Sequence, residues 1–194
     1  IASGGAKQSL AVLLQSILNP QDEVVISAPY WVSYPEMIKM AYGVPVVVKP
    51  EDGRFQPTVD EMIDACTSYT KAIIVNNPNN PSGDIYSEDF IREMVAFCEK
   101  KGIWLIMDDI YHKLIYDDAT WYPGYRYTDK DVDESKIVVV NGISKLYAMT
   151  GFRIGWVTGP KKLVQTMNTV QGHGSSCPPA ISQAAAVGAM NGLQ

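Results

Sequence analysis

Apolar residues recur at Leu10, Leu13, Leu14, Ile17 and Leu18, the three-and-four spacing of a helix with one buried face, and Asn19-Pro20 closes the run. The spacing predicts a core-facing helix over residues 5–18. Residues 23–28 (EVVISA) break that period with a short apolar stretch ended by Pro29, as a strand buried on both faces does. Residues 31–42 return to helical character, and 44–48 are a second β-branched run. The alternation continues with a short helix at 59–66 and a strand at 71–75. A helix then runs from its cap Ser87 to about Lys101, with Phe90, Met94, Val95 and Cys98 inward and Gly102 as its stop. Further strands are predicted at 103–107, 137–140 and 153–158, and helices at 160–171 and 178–192.

Between these elements, residues 76–83 (NNPNNPSG) can propagate neither helix nor sheet, and residues 112–135 are polar, aromatic and punctuated by Gly and Pro, so both read as irregular. Strands alternating with helices place the chain in the α/β class, as a mostly parallel sheet with helices on both faces. No repeat or linker divides residues 1–194, which read as one domain.

Composition narrows the function classes. The 194 residues are 46% hydrophobic and 19% charged, ordinary for a globular chain with one sizeable core. The net charge is −5 and the pI near 5.0, without a Lys/Arg-rich run, which argues against nucleic acid and anionic membranes as partners. Cys66, Cys98 and Cys177 lack the spacing of a metal site or a disulfide framework and read as reduced thiols. His112 and His173 have no partner at metal-ligand spacing, so no metal is expected, and Asp117-Asp118 reads as a solvated loop pair. With neither a membrane-length apolar stretch nor a secretion signal, a cytoplasmic protein is expected.

The candidate chemistry lies just past the strand at 137–140, where a parallel sheet delivers functional groups at its carboxyl edge. Burying the Lys145 ammonium there costs several kcal/mol unless it is paired or neutralised, and a Schiff base to an aldehyde neutralises it. Eight residues on, Arg153 offers a rigid fork suited to phosphate, between Gly151 and Gly155, whose missing side chains would let a bulky ligand approach. By composition alone, Lys145 and Arg153 would more often be solvated surface charges. Ser3-Gly4-Gly5-Ala6-Lys7 opens a helix whose free N–H groups favour an anion, although a Gly-rich helix start is often only a tight turn. Tyr30, Trp31 and Tyr34 lie within five residues and suit ring stacking or core packing. Asp108 ends an apolar strand, so desolvation would raise its pKa unless a cation pairs with it; Asp109 is its confounder.

Taken together, Gly142-Ile143-Ser144-Lys145, Ala148-Met149 and Gly151-x-Arg153-Ile154-Gly155 closely resemble the pyridoxal-phosphate attachment site of class I/II aminotransferases. The stretch Ala28-Pro29-Tyr30-Trp31-Val32-Ser33-Tyr34-Pro35, the turn Asn79-Asn80-Pro81-Ser82-Gly83 and the pattern Asp108-Asp109-Ile110-Tyr111 resemble further parts of that family's site, in the same order, nearest its prokaryotic aspartate aminotransferase branch. The resemblance implies a fold-type I large domain. Gly5, Ala6 and Lys7 would hold phosphate through the main chain and Ser144 and Arg153 through side chains. Trp31 would stack on the pyridine ring and Asp108 would pair with its nitrogen. Tyr111 and Asn80 would contact its phenolic oxygen, Asn80 also meeting the substrate carboxylate, and Lys145 would form the Schiff base. One departure is Gly142, where some branches carry a phosphate-binding serine, a loss that Ser144 would offset.

The implied activity is transamination between an amino acid, aspartate or a related or aromatic one, and a 2-oxo acid, by a homodimer. A non-catalytic large-domain fragment and a related pyridoxal-phosphate-dependent lyase or synthase are the alternatives. Starting at Ile1 on the glycine motif and stopping at Gln194, the sequence is expected to be the cofactor-binding domain of a longer enzyme, without its N-terminal segment and small C-terminal domain.

Overall fold

The computed structural model describes residues 1–51 and 53–192, so the expected domain boundary at residue 194 lies outside the described residues. In chain order the elements are β1 (Ala2–Ser3), α1 (Ala6–Ile17), β2 (Glu23–Ser27), α2 (Ser33–Met40), β3 (Val44–Val48), α3 (Val59–Asp64) and β4 (Thr70–Asn76). They continue with α4 (Glu88–Lys101), β5 (Trp104–Asp108), β6 (Ile137–Gly142), α5 (Ile143–Leu146), β7 (Gly155–Thr158), α6 (Lys161–Gly174) and α7 (Ala180–Asn191), with single 3₁₀ turns at Gly124–Arg126 and Thr150–Phe152.

One seven-stranded sheet runs in the order β1-β7-β6-β5-β4-β2-β3. The five strands from β3 to β6 are parallel, whereas β7 pairs antiparallel with β6, and β1 antiparallel with β7. The period of two in each strand explains why their apolar runs are unbroken. Val24, Ile26, Ala72, Ile74, Ile106, Val138 and Val140 turn to the layer of α1, α2 and α6. Val25, Ile73, Val75, Leu105, Met107 and Ile137 turn to the layer of α3 and α4. Both faces are covered, as the sequence predicts. The chain passes from β2 to β3 on one side and then to β4 on the other, which puts α2 and α3 on opposite faces and opens a crevice at the carboxyl ends of the strands.

Local signals hold at the helix ends. Ser87 Oγ accepts the Phe90 N–H at 3.2 Å, and Gly102 closes α4 with φ 73°, its N–H bonded to the Cys98 carbonyl. Three expectations shift. The strand expected at 153–158 begins at Gly155, because Arg153 takes a left-handed conformation (φ 54°) at the end of a 3₁₀ turn. The helix expected over 31–42 spans only Ser33–Met40. The two-residue β1 and four-residue α5 are too short for any periodicity to mark. Among the described residues no helix is long and apolar enough to cross a membrane.

The irregular segment ahead of β6 is pinned by one carboxylate. Glu99, on α4, accepts from Ser135 Oγ (2.6 Å), the Lys136 N–H (3.0 Å) and Thr128 Oγ1 (3.1 Å), while Lys130 Nζ lies 2.6 Å from its second oxygen. Burial alone would raise the Glu99 pKa; Lys130, Ser135, Lys136 and Thr128 together outweigh it and hold the group below its ordinary 4.5. Stability from such a group is complete above the ordinary value and is lost as pH falls through the lowered one. Glu99→Ala should therefore cost about 2 kcal/mol at neutral pH in urea unfolding, on the scale of hydrogen bonds to a charged group. The variant's stability should also fall less than the parent's on acidification below 4.5. A variant as stable as the parent at both pH values would show that Glu99 does not hold this segment.

Candidate active site

Each parallel strand releases its next residues at the carboxyl edge, and these converge. Trp31 and Tyr34 follow β2; Asn76 ends β4 and Asn80 follows it; Asp108 ends β5 and Tyr111 follows; Ser144 and Lys145 ride on α5 after β6. With Ala6 and Lys7 of α1, Ile110, Thr150 and Arg153, they line a cavity of about 290 Å³. Every residue expected at the site lines it except Gly5, which stands behind Arg153.

Asp108 is 3% exposed. Its Oδ2 accepts the Tyr34 hydroxyl at 2.6 Å, and its Oδ1 has no hydrogen-bond partner. Burial pushes the carboxyl up to about 6, against the Tyr34 hydroxyl and the Ile110 N–H. Burial first, and the Asp108 charge second, push the Tyr34 phenol well above its usual range, so it stays a donor. Asn76 holds the main chain here, its Nδ2 donating to the Asp108 carbonyl at 2.8 Å while its Oδ1 accepts the Asn80 N–H at 2.7 Å. Asp109, the confounder, is fully buried and does not line the cavity.

Asn80 Nδ2 donates to the Tyr111 hydroxyl at 3.2 Å, and Lys145 Nζ lies 5.8 Å from the centre of the Tyr111 ring. Trp31 meets Tyr34 edge-on, with ring centres 5.4 Å apart and planes at 87°, and Lys7 Nζ lies 4.9 Å from the Trp31 centroid. Lys145 is exposed, not buried. The short α5 carries it past the sheet edge to the mouth of the cavity, so desolvation of its ammonium is not what marks the site in this chain.

The N-terminus of α1 borders the same space. Gly5 has φ 96°, no side chain caps the helix, and a Cβ on Gly5 would collide with the Arg153 guanidinium. That guanidinium donates to the Thr150 carbonyl at 2.8 Å and the Gly4 carbonyl at 3.3 Å. Gly155 differs from expectation, since it lets the backbone of Gly5 and Ala6, not a ligand, approach β7; Gly151 has open space beside it. A Cβ on Gly142 would lie 2.8 Å from the Ile154 carbonyl oxygen, so tight packing explains why a serine is missing there. Ser144, buried on the cavity wall, is the hydroxyl left near Lys145.

Tyr34, Asn76, Ile110 and Thr150 are cavity residues that sequence reasoning missed. Asn76 carries the same signal as Asp108, a polar residue ending an apolar strand, and Tyr34 stands three residues after Trp31 in the same aromatic stretch. His112 lies outside the cavity, its Nδ1 2.9 Å from the Asp109 carbonyl oxygen and 3.0 Å from Asn141 Nδ2, and His173 is exposed near the end of α6. Among the described residues no cluster of His, Cys, Asp and Glu is placed to hold a metal.

Comparison with known proteins gives this geometry its context. A probable aspartate/prephenate aminotransferase of Thermus aquaticus is 42% identical over 192 residues, covering 98% of this chain and 48% of the relative. The crystal structure of the aspartate aminotransferase of Rhizobium meliloti superimposes with a TM-score of 0.93 at 37% identity, over 100% of this chain and 48% of that one. The aromatic aminotransferase of Pyrococcus horikoshii superimposes with a TM-score of 0.92 at 33% identity, over 99% and 51%. The chain thus spans about half the length of the relatives it matches. The family model for aminotransferase class I and II matches from residue 1 to residue 194, and with the whole sequence accounted for, the chain belongs to that family.

Proposed function

We propose that the chain is the pyridoxal-5′-phosphate-binding large domain of an aminotransferase, with Lys145 as covalent anchor and proton carrier. The observation that carries this reading is the unpartnered Oδ1 of buried Asp108, in a cavity that also holds Lys145. A buried carboxylate oxygen without a donor is costly, and a protonated pyridine nitrogen removes that cost. The uncapped first turn of α1, with Arg153 across it, offers N–H donors and a fork to the phosphate. When bound, the cofactor supplies an electron sink for the substrate Cα.

The chain's residues then divide the work. Asp108 holds the ring nitrogen. Tyr111, with its hydroxyl fixed by Asn80, meets the ring's phenolic oxygen, and Trp31 covers one ring face, steadied by Lys7. Asn80 also meets the substrate carboxylate. Ser144 adds a donor to the phosphate. Lys145 Nζ would anchor the cofactor's aldehyde and, once displaced by the substrate amine, would carry the proton at the substrate Cα. The substrates are an amino acid, aspartate or a related or aromatic one, and a 2-oxo acid; similarity to a probable aspartate/prephenate aminotransferase of Thermus and an aromatic aminotransferase of Pyrococcus supports this range. The intact protein is read as a homodimer, which the exposed Ile181 and Val187 of α7 support.

Three experiments test the reading. Lys145→Ala should leave the circular dichroism spectrum unchanged and lower transamination at least about a thousandfold, within the range of a lost acid/base group. Borohydride reduction with pyridoxal phosphate should label Lys145 in the parent protein; label scattered over other lysines, or turnover retained in the variant, would sink the assignment. Arg153→Ala should weaken pyridoxal phosphate about tenfold, the scale of a hydrogen bond between charged groups, and leave pyridoxal without phosphate unaffected. Equal weakening of both would remove Arg153 from the phosphate site.

A further inference from the structure

We propose that Tyr34 is a positioning residue for the contact between Asp108 and the ring nitrogen: its hydroxyl anchors Oδ2 so that Oδ1 stays turned to the cavity. The inference rests on the reading of Asp108 given above. Rotation about the last torsion of an aspartate is soft, so an unanchored carboxylate would sample many orientations. Here one oxygen is tied by a 2.6 Å bond to a phenol that is itself 2% exposed, and the other has no partner. The main chain is held separately, since Asn76 Nδ2 donates to the Asp108 carbonyl. Side chain and backbone are thus fixed from two different elements, α2 and β4.

Tyr34 is rigid for the same reasons. Its ring packs into the layer of α1 and α2, and its edge-on contact with Trp31 joins the wall of the cavity to its floor. Trp31 stands just ahead of α2 and Tyr34 in its first turn, joined by the Tyr34 N–H donating to the Trp31 carbonyl at 3.0 Å. A single hydroxyl therefore sets the direction of the acceptor relative to the aromatic wall. Tyr34 touches no reacting atom; it acts through Asp108.

The test uses the full-length protein and two probes, pyridoxal 5′-phosphate and its 1-deaza analogue, in which carbon replaces the ring nitrogen. In Tyr34→Phe the Kd of the natural cofactor should rise about tenfold, as for one lost hydrogen bond to a charged group, and that of the analogue should change by less than about twofold. Equal weakening of both would overturn the proposal, because Tyr34 would then act through packing; unchanged binding of both would also overturn it. If the unaltered protein binds neither probe, the cofactor reading falls and this proposal with it. Should Tyr34→Phe not fold, Tyr34→Phe/Asp108→Asn is compared with Asp108→Asn, neither of which carries a carboxylate at position 108. There the hydroxyl should matter less than about twofold for the natural cofactor, and a renewed tenfold loss would overturn the proposal.

Discussion

A carboxylate oxygen closed off from water, with no donor beside it, is the constraint on which the rest of this structure turns. Asp108 reaches that position because β5 is a central strand with helices on both faces, and its last residue points into the layer occupied by α2. Its neighbours are arranged to keep the carboxylate in place: Tyr34 satisfies one oxygen and Asn76 fixes the main chain. The remaining oxygen, on the wall of a cavity, is placed to accept from a cationic donor.

The opposite sign is supplied by a different part of the fold. The parallel strands bring side chains to the carboxyl edge, but the α1 N-terminus arrives there by another route. β7 runs antiparallel, so its first residue, Gly155, lies at the same edge as the last residue of β6, and β1 pairs with β7 immediately before α1 begins. The absent side chain at Gly155 lets Gly5 and Ala6 sit directly on β7. Arg153, turned by its left-handed conformation just ahead of β7, lays its guanidinium against Gly5. An uncapped helix start and an arginine fork are thus delivered together by the reversal of β7.

Much of this was legible in the sequence, because the features that carry it are local. Apolar strands of five or six residues ending in Asp108 or Asn141-Gly142, the Ser87 and Gly102 caps and the glycine run before α1 depend on near neighbours. The motif order from Ser3 to Gly155 sufficed to assemble almost the whole cavity. What escaped depends on contacts between residues far apart in the chain. Tyr34 and Asp108 are 74 positions apart, and nothing in either segment marks the bond. The exposure of Lys145 follows from a helix only four residues long. Gly142 reads as a lost phosphate donor and Gly155 as an accommodation to a ligand until their backbone neighbours, Ile154 and Gly5-Ala6, come into view.

The adjacent acids show how the fold resolves an ambiguity that the sequence leaves open. Asp108 and Asp109 are both buried, and two neighbouring carboxylates in a low-dielectric interior do not ionise together readily. Strand geometry separates their surroundings: Asp108 lines the cavity, with the Tyr34 hydroxyl on one oxygen and no partner at the other. Asp109 lines no part of that cavity, and neither of its oxygens has a hydrogen-bond partner. Burial first, and the Asp108 charge second, push the Asp109 carboxyl well above the usual carboxylate range, with Trp121 opposing them. Of the two acids, only Asp108 thus lines the cavity, and it alone is placed to meet a cation bound there.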